Sequence, residues 1–223
     1  PFVWNNQSDP YDNRDPRMKY TIVCNEMKWP VDPVEIWEGG TNGLPLQNAT
    51  TTGYYLKKYV NNTISFEAGS TVTKKQHNWV LFRYGEILLN YAEAMINAFH
   101  DPNYKDAVYN MSAREAVNQI RGRTNISLPG FPSDITEKDF VKRLKNERRV
   151  ELAFEGHRFW DVRRWKELGQ TANIYGVKIT KNNEVISYEK FLLETRAVTD
   201  NMYFYPIPNT EPVSYTHLRA HET

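Results

Sequence analysis

Residues 146–165 (N-E-R-R-V-E-L-A-F-E-G-H-R-F-W-D-V-R-R-W) constrain the fold most, because they place four carboxylates and five arginines beside apolar side chains. Glu147, Glu151 and Glu155 recur at intervals of four, which puts them in one row on a helix. Carboxylates beside an apolar stripe lose solvation and need cationic partners. Gly156 suits a bend between two helical pieces. The pattern therefore predicts a buried ion-pair network that clamps two helices together.

The expected network is drawn entirely from this one segment. Its members are Glu147, Arg148, Arg149, Glu151, Glu155, Arg158 and Asp161. Two other interpretations stay open: acid–base catalysis by a pair of glutamates, and contact of an exposed tryptophan or arginine with a ligand. Catalysis is disfavoured because Glu147 and Glu155 share one helical face and cannot oppose each other across a cleft. We therefore predict no catalytic residue.

Composition limits the class of protein. The 223 residues carry a net charge of +1 and one cysteine. This length suits one sizeable domain or two small ones, and the charge gives no sign of a nucleic-acid partner. A lone cysteine excludes a disulfide framework, so Cys24 is expected to be a buried thiol. No apolar run reaches the length of a membrane-spanning helix. We expect no cofactor.

The two ends of the chain differ from the rest. The chain begins at Pro1 with neither a start methionine nor a signal peptide, and we interpret it as a fragment whose beginning is missing. Residues 212–223 resemble translated sequencing-adapter read-through, so we expect a non-native tail there. His217 and His221 lie four residues apart in this tail, but no third ligand accompanies them, and we predict no metal site.

Periodicity divides the chain into three regions. Residues 1–78 are loop-rich with short extended runs, residues 79–168 are helical, and residues 169–211 form an irregular or extended closing segment. All three regions belong to one domain in this interpretation. The expected helices span residues 80–99, 112–123, 136–155 and 157–168.

Small residues favour close packing between the first two of these helices. Ala92, Ala94 and Ala98 on the first would face Ala113 and Ala116 on the second. Such a pair is similar to a tetratricopeptide helical hairpin, although no repeat of that period occurs in the chain.

Residues 29–46 read W-P-V-D-P-V-E-I-W-E-G-G-T-N-G-L-P-L, which predicts a loop with two tryptophans. Trp29 and Trp37, with Asn42 nearby, combine aromatic faces with polar groups, as a sugar-binding surface requires. Trp4, followed by two asparagines and a glutamine, offers the same mixture. Burial of each ring under its own loop and presentation of the ring to a ligand both stay open.

Four motifs occur in the order typical of one family. They are D-N-R-D-P-R-M (12–18), F-R-Y-G-E-I-L-L-N-Y-A-E-A (82–94), the segment 146–165, and Y-P-I-P-N-T-E (205–211). Over about residues 9–211 the chain resembles the C-terminal portion of a SusD/RagB-family protein. The third motif is highly specific, and the others support it by their order and spacing.

The resemblance implies a mainly α-helical fold in which tetratricopeptide-type hairpins pack against an irregular, loop-rich part with short strands. It also implies a surface-exposed lipoprotein of the outer membrane that binds oligosaccharides without covalent chemistry and passes them to a SusC-like TonB-dependent transporter. A peptide ligand and a mainly scaffolding role are alternatives within the family, and a glycoside hydrolase is a weaker one. Cys24 does not match the family's lipid-attachment cysteine, which belongs to the N-terminal end.

Overall fold

The computed structural model describes residues 9–64, 75–78 and 80–205. Within them the helices are α1 (Met18–Thr21), α2 (Tyr84–Phe99), α3 (Ala113–Arg121), α4 (Glu137–Glu151) and α5 (His157–Arg164), with short 3₁₀ helices at Leu168–Thr171 and Asp200–Tyr203. The strands are β1 (Ile22–Val23), β2 (Tyr55–Leu56), β3 (Asn173–Asn182) and β4 (Val185–Thr195). The predicted mainly helical fold class is confirmed. None of the helices in these ranges is long and apolar enough to cross a membrane.

Helices α2 and α3 form a close pair that packs on α4. Helix α3 begins with the capping box that the sequence predicts: the Glu115 amide donates to Ser112 Oγ, and the Ser112 amide donates to the Glu115 carboxylate. Ala92, Ala113 and Ala116 are fully buried in the shared core. The prediction was wrong for Ala94 and Ala98, which are exposed because they lie on the outer face of α2.

Helix α4 begins where Thr136 Oγ1 accepts a hydrogen bond from the Asp139 amide. The helix ends at Glu151, four residues earlier than predicted. Phe154 and Gly156 then adopt positive φ angles of 62° and 83°, which turn the chain into α5. The prediction of one helix through Glu155 was therefore wrong, and this carboxylate lies in the turn.

A second apolar cluster holds the loop-rich part against the β3–β4 hairpin. Ile36 from the loop packs with Val177, Ile179 and Tyr188 of the hairpin, and Val23 of β1 joins them. The hairpin is antiparallel, and β3 and β4 have 10 and 11 residues. The strands β1 and β2 of the loop-rich part are short, as predicted. The hairpin occupies most of the segment that was predicted as irregular or extended, because cross-strand pairing continues through it.

The hairpin turn lies at Asn183 and Glu184, whose φ angles are 45° and 67°. Two consecutive positive φ angles are typical of the tight turns that join antiparallel strands. The turn therefore lies within the polar run K-N-N-E at residues 181–184.

Candidate functional site

A buried carboxylate at the end of α4 joins three separate segments of the chain. Glu151 accepts hydrogen bonds from Arg17 Nη1 (2.9 Å), Arg83 Nη1 (2.7 Å) and Arg123 Nη2 (2.8 Å). Arg17 Nη1 also donates to Glu147 Oε1 at 2.5 Å. The side chains of both glutamates are only 3% exposed. Charges this deeply buried are stable only with such close partners.

The neighbouring carboxylates are held in the same way. Arg121 Nη1 donates to the second oxygen of Glu147 at 2.6 Å. Glu155 accepts from Arg83 Nε (2.7 Å) and from Lys58 Nζ (2.6 Å). We call Glu147, Glu151, Glu155 and these five cations the carboxylate framework.

A further buried pair clamps α4 to α5, as the sequence predicts for this segment. Arg148 Nε donates to Asp161 Oδ2 at 2.8 Å, and Arg148 Nη1 donates to Asn90 Oδ1 of α2 at 2.6 Å. Asp161 also accepts from Arg164, which in turn pairs with Glu93 of α2. Three helices therefore meet at one charged contact.

These contacts determine the protonation of the carboxylates. Burial alone raises the pKa of the Glu151 carboxyl, but hydrogen bonds from Arg83 and Arg17 outweigh burial, and the pKa falls below its usual value. The pKa of Glu155 is lowered for the same reason, with Arg83 and Lys58 as its partners against burial. Both groups stay ionised near neutral pH and cannot donate a proton.

Two residues differ from the predicted network. Arg149 is exposed and Arg158 half-buried, and within the described part of the chain neither has an ion pair. Arg158 instead donates to Gln170 Oε1 at 3.0 Å. Helical geometry explains the difference for Arg149, because its side chain leaves α4 on the face turned away from Glu147 and Glu151.

Sequence reasoning also missed the true partners of the glutamates, because it searched within a single segment. They come from elsewhere in the chain: Arg17, Lys58, Arg83, Arg121 and Arg123. A signal for two of them was present, since Arg17 lies in the motif at 12–18 and Arg83 in the motif at 82–94. The buried row of acids is thus paired with cations from distant segments, and not with the arginines that lie beside it in the sequence.

The tryptophan loop folds onto the hairpin. Trp29 and Trp37 are both partly buried against the second apolar cluster. The ammonium groups of Lys57 and Lys181 lie over their rings, 4.6 and 4.7 Å from the respective centroids. Asn42 is exposed, and its Oδ1 accepts a hydrogen bond from the amide of Glu35. The two rings thus have packing roles and keep only part of their surface for a ligand.

A cavity of about 210 Å³ opens between residues 36–53 and the β3–β4 hairpin, and we call it the loop cavity. Its lining includes Glu38, Thr50 and Thr51 from the loops, and Lys178 and Phe191 from the hairpin. Hydroxyl, carboxylate, ammonium and aromatic groups converge here. No local pattern identifies the hairpin residues as part of this cavity, because they lie more than a hundred residues from the loop in the chain.

The loops approach the hairpin closely at this cavity. The Val177 amide donates to the Thr52 carbonyl oxygen at 2.9 Å. A Cβ on Gly53 would lie 2.5 Å from the Val177 carbonyl oxygen, and the φ of Gly53 is +80°. Only glycine fits that position without strain, so the wall of the cavity is built by backbone contact.

Comparison with known proteins identifies the family. The model of the SusD family matches residues 5–218 of the chain. The chain belongs to the SusD family. The resemblance drawn from the four motifs is thereby confirmed, and the nutrient-uptake, glycan-binding role is supported at the level of the family.

Individual SusD-like proteins show how much of a longer relative the chain covers. It is 37% identical over 91 residues to SusD-like protein P38 of Formosa agariphila and 28% identical over 156 residues to SusD-like protein P2 of that organism. These alignments cover 38% and 68% of the chain, but 16% and 26% of the relatives. A crystal structure of a SusD-like protein from Bacteroides fragilis superposes with a TM-score of 0.75 at 27% identity, covering 92% of this chain and 38% of that one. The chain therefore spans well under half the length of these relatives.

An exposed aromatic group on α5 is a further feature of this SusD-family chain. Trp160 is 55% exposed, and its ring centroid lies 5.1 Å from that of Phe159 and 5.7 Å from that of Tyr205. Sequence reasoning left open that an exposed tryptophan of this motif contacts a ligand. Trp160 has the exposure that such a contact requires.

The cysteine, the first tryptophan and the two histidines of the tail are the remaining residues that the sequence singles out. Cys24 is buried, as expected, and burial raises the pKa of its thiol to about 12, which disfavours the reactive thiolate. Trp4 lies outside the described residues, as do His217 and His221. No group of three or more His, Cys, Asp or Glu side chains suited to a metal ion occurs within the ranges that the structure describes.

Proposed function

We propose that this SusD-family chain binds an oligosaccharide at the bacterial cell surface and delivers it, chemically unchanged, to a SusC-like TonB-dependent transporter in the outer membrane. The observation that carries the proposal is the family match over residues 5–218. The protein would be held at the outer surface of that membrane as a lipoprotein. Peptide binding and a mainly scaffolding role for the transporter are the alternatives that the experiment below separates.

The carboxylate framework supports binding without catalysis. A glycoside hydrolase needs two carboxyl groups roughly 5–10 Å apart across a cleft, and one of them must be able to donate a proton. Glu151 and Glu155 are instead held by guanidinium groups that lower the pKa of each carboxyl. Glu147 is enclosed by Arg17 and Arg121. Each of these acids therefore serves the fold.

The loop cavity has the chemistry that saccharide binding requires. Aromatic rings bind the apolar faces of sugars, and hydroxyl and charged groups bind their hydroxyls. Phe191 supplies a ring, and Thr50, Thr51 and Glu38 supply polar groups. Trp37 follows the lining residue Ile36 in the chain, is partly exposed, and would add a second ring at the edge of the cavity. At about 210 Å³ the cavity is smaller than the roughly 300–1,000 Å³ of pockets that enclose a whole small molecule, so it suits one ring of a longer chain. Trp29 and Asn42 would extend this surface, and Trp4 stays a ligand-binding candidate outside the described residues.

Calorimetric titration of the full chain with a panel of neutral and acidic oligosaccharides and short peptides tests the proposal. We expect affinity for at least one oligosaccharide, and a loss of about tenfold or more when Trp37→Ala or Phe191→Ala removes an aromatic face. Phe82→Ala is the matched control, because Phe82 is an exposed aromatic outside the cavity. Co-purification with a SusC-like transporter tests the partner.

Other outcomes would contradict parts of the proposal. If the chain binds peptides and no oligosaccharide, the ligand is a peptide. If it co-purifies with the transporter and binds no ligand, the scaffolding role is favoured. Release of reducing sugar that Glu155→Gln abolishes would overturn the non-catalytic role. If Phe82→Ala lowers the affinity as much as the cavity variants do, the ligand does not bind in the loop cavity.

A further inference from the structure

A cleft of about 330 Å³ lies between α4 and the segment that runs from α5 to the 3₁₀ helix at Leu168–Thr171. Neither the carboxylate framework nor the loop cavity uses its residues. Five cationic side chains and one carboxylate line it: Lys138, Lys142, Lys145, Arg149, Arg158 and Glu167. We call this surface the basic cleft. It contains Arg149 and Arg158, the two arginines that were predicted for the buried network and have no ion pair among the described residues.

The cations of α4 form a continuous stripe. Lys138, Lys142, Lys145 and Arg149 follow one another at intervals of four, three and four, which keeps them on one face of the helix. At about 1.5 Å per residue the stripe is roughly 16 Å long. Arg158 faces it from α5 across the cleft.

Most of this positive charge lacks a counter-charge. Lys145 Nζ pairs with Glu167 Oε1 at 2.5 Å, which occupies the single carboxylate. Lys138, Lys142 and Arg149 have no ion pair within the described residues, and Arg158 donates to the neutral amide of Gln170. The cleft therefore has four positive charges in excess of its carboxylate.

The Arg149 cation disfavours the charge of Arg158. Burial and the nearby Arg149 cation both lower the pKa of the Arg158 guanidinium. The Glu167 and Asp161 carboxylates oppose this lowering of the pKa but do not cancel it. A bound anion would relieve the repulsion that remains. Guanidinium groups bind carboxylate and sulfate oxygens with two parallel hydrogen bonds, which adds geometric selectivity.

We propose that the basic cleft binds the carboxylate or sulfate groups of an acidic polysaccharide. The choice of a saccharide rests on the proposed function, whereas the choice of an anion rests on the lining of the cleft. A long stripe of cations matches a polymer with repeated negative charges better than a single small anion. Asn146 also lines the cleft and offers its amide group to a sugar hydroxyl.

A membrane surface fits this lining less well. Peripheral binding to anionic lipids usually combines basic residues with apolar side chains that enter the bilayer. Val141 is the one apolar residue that lines the basic cleft, and it is half-buried. The positive charge also lies in a concave surface, which a flat lipid surface cannot fill.

Titration of the full chain with dextran sulfate at low salt, beside neutral dextran, tests the proposal. We expect binding of dextran sulfate alone, and weakening by about tenfold or more in the double variant Arg149→Gln/Arg158→Gln. Arg143→Gln/Lys190→Gln removes the same charge outside the cleft, from α4 and β4, and should change affinity by no more than about twofold. Thermal melting of each variant confirms that it is folded.

The outcomes separate this proposal from the proposed function. Equal weakening in the two double variants would mean diffuse attraction and would overturn the cleft as a site. Binding to phosphatidylglycerol vesicles without binding to dextran sulfate would assign it to a membrane. If a neutral oligosaccharide binds and dextran sulfate does not, the basic cleft fails while the proposed function stands. Binding of dextran sulfate with the expected loss in the first variant, while no neutral glycan binds, would support the cleft alone.

Discussion

Both faces of α4 carry many charged side chains, but those of the inner face are buried in ion pairs and most of those of the outer face are not. On the inner face, Glu147, Arg148 and Glu151 are 2–6% exposed, and each contacts oppositely charged groups from other segments. On the outer face, the cations of the basic cleft share a single carboxylate. The comparison shows that charge at helical spacing does not identify a network by itself. The partners that the fold brings from elsewhere decide between a structural contact and a binding surface.

The largest expected effect is on the inner face. Glu151→Ala leaves three guanidinium groups without their shared carboxylate, so we expect a loss of about 3–5 kcal/mol in the free energy of unfolding. Glu137→Ala, at the exposed start of the same helix, should cost about 0.5 kcal/mol. Urea denaturation of both variants measures the difference. Equal losses would contradict the special position of Glu151.

Arg148 on the inner face and Arg149 on the outer face are consecutive, so variants of the two compare the faces directly. Arg148→Ala removes the partner of buried Asp161 and should cost about 3 kcal/mol, at the low end for a buried pair because Arg164 still contacts Asp161. A thermal midpoint within about 2 °C of the parent would show that this clamp contributes little.

Acidification should affect the inner face selectively. The folded-state pKa values of Glu151 and Glu155 lie below the ordinary value of 4.5. Their contribution to stability is therefore complete above about pH 4.5 and is lost as the pH falls through the lowered folded-state values. Urea denaturation from pH 6 to pH 3 should show falling stability. The slope should be shallower in Glu151→Ala, and an unchanged slope would contradict the role of this group.

The smallest expected effect is on the outer face. Arg149→Ala should change the free energy of unfolding by no more than about 0.5 kcal/mol, in the stabilising direction, because it removes repulsion from Arg158 and breaks no ion pair of the described residues. Chemical denaturation at low salt measures it. If Arg149→Ala lowers the free energy of unfolding as much as Arg148→Ala does, Arg149 belongs to the buried network as first predicted.

Local signals in the sequence were sufficient for much of the helical part. The capping box at Ser112 and the cap at Thr136 act over three residues, so their geometry follows from local chemistry. The bend at Gly156 is local in the same sense. The end of α4 was missed because residues 152–155 (L-A-F-E) include strong helix formers, and tertiary contacts override this local preference.

The candidate sites depended on contacts over much longer distances. Trp37 could be identified as aromatic and loop-borne, but not as covered by Lys181. Phe191 and Lys178 reach the loop cavity because the hairpin folds back over residues 36–53, a contact that no local pattern predicts.

By itself the sequence determined the family, the helical class and the presence of a buried row of acids, because motif order and helical spacing are properties of the chain. The tertiary structure alone decided which cations satisfy those acids and which remain exposed. The physical reason is that an ion pair depends on distance in space: Arg17 lies 134 positions from Glu151 in the sequence and 2.9 Å from it in the fold, while Arg149, two positions away, points to the opposite side.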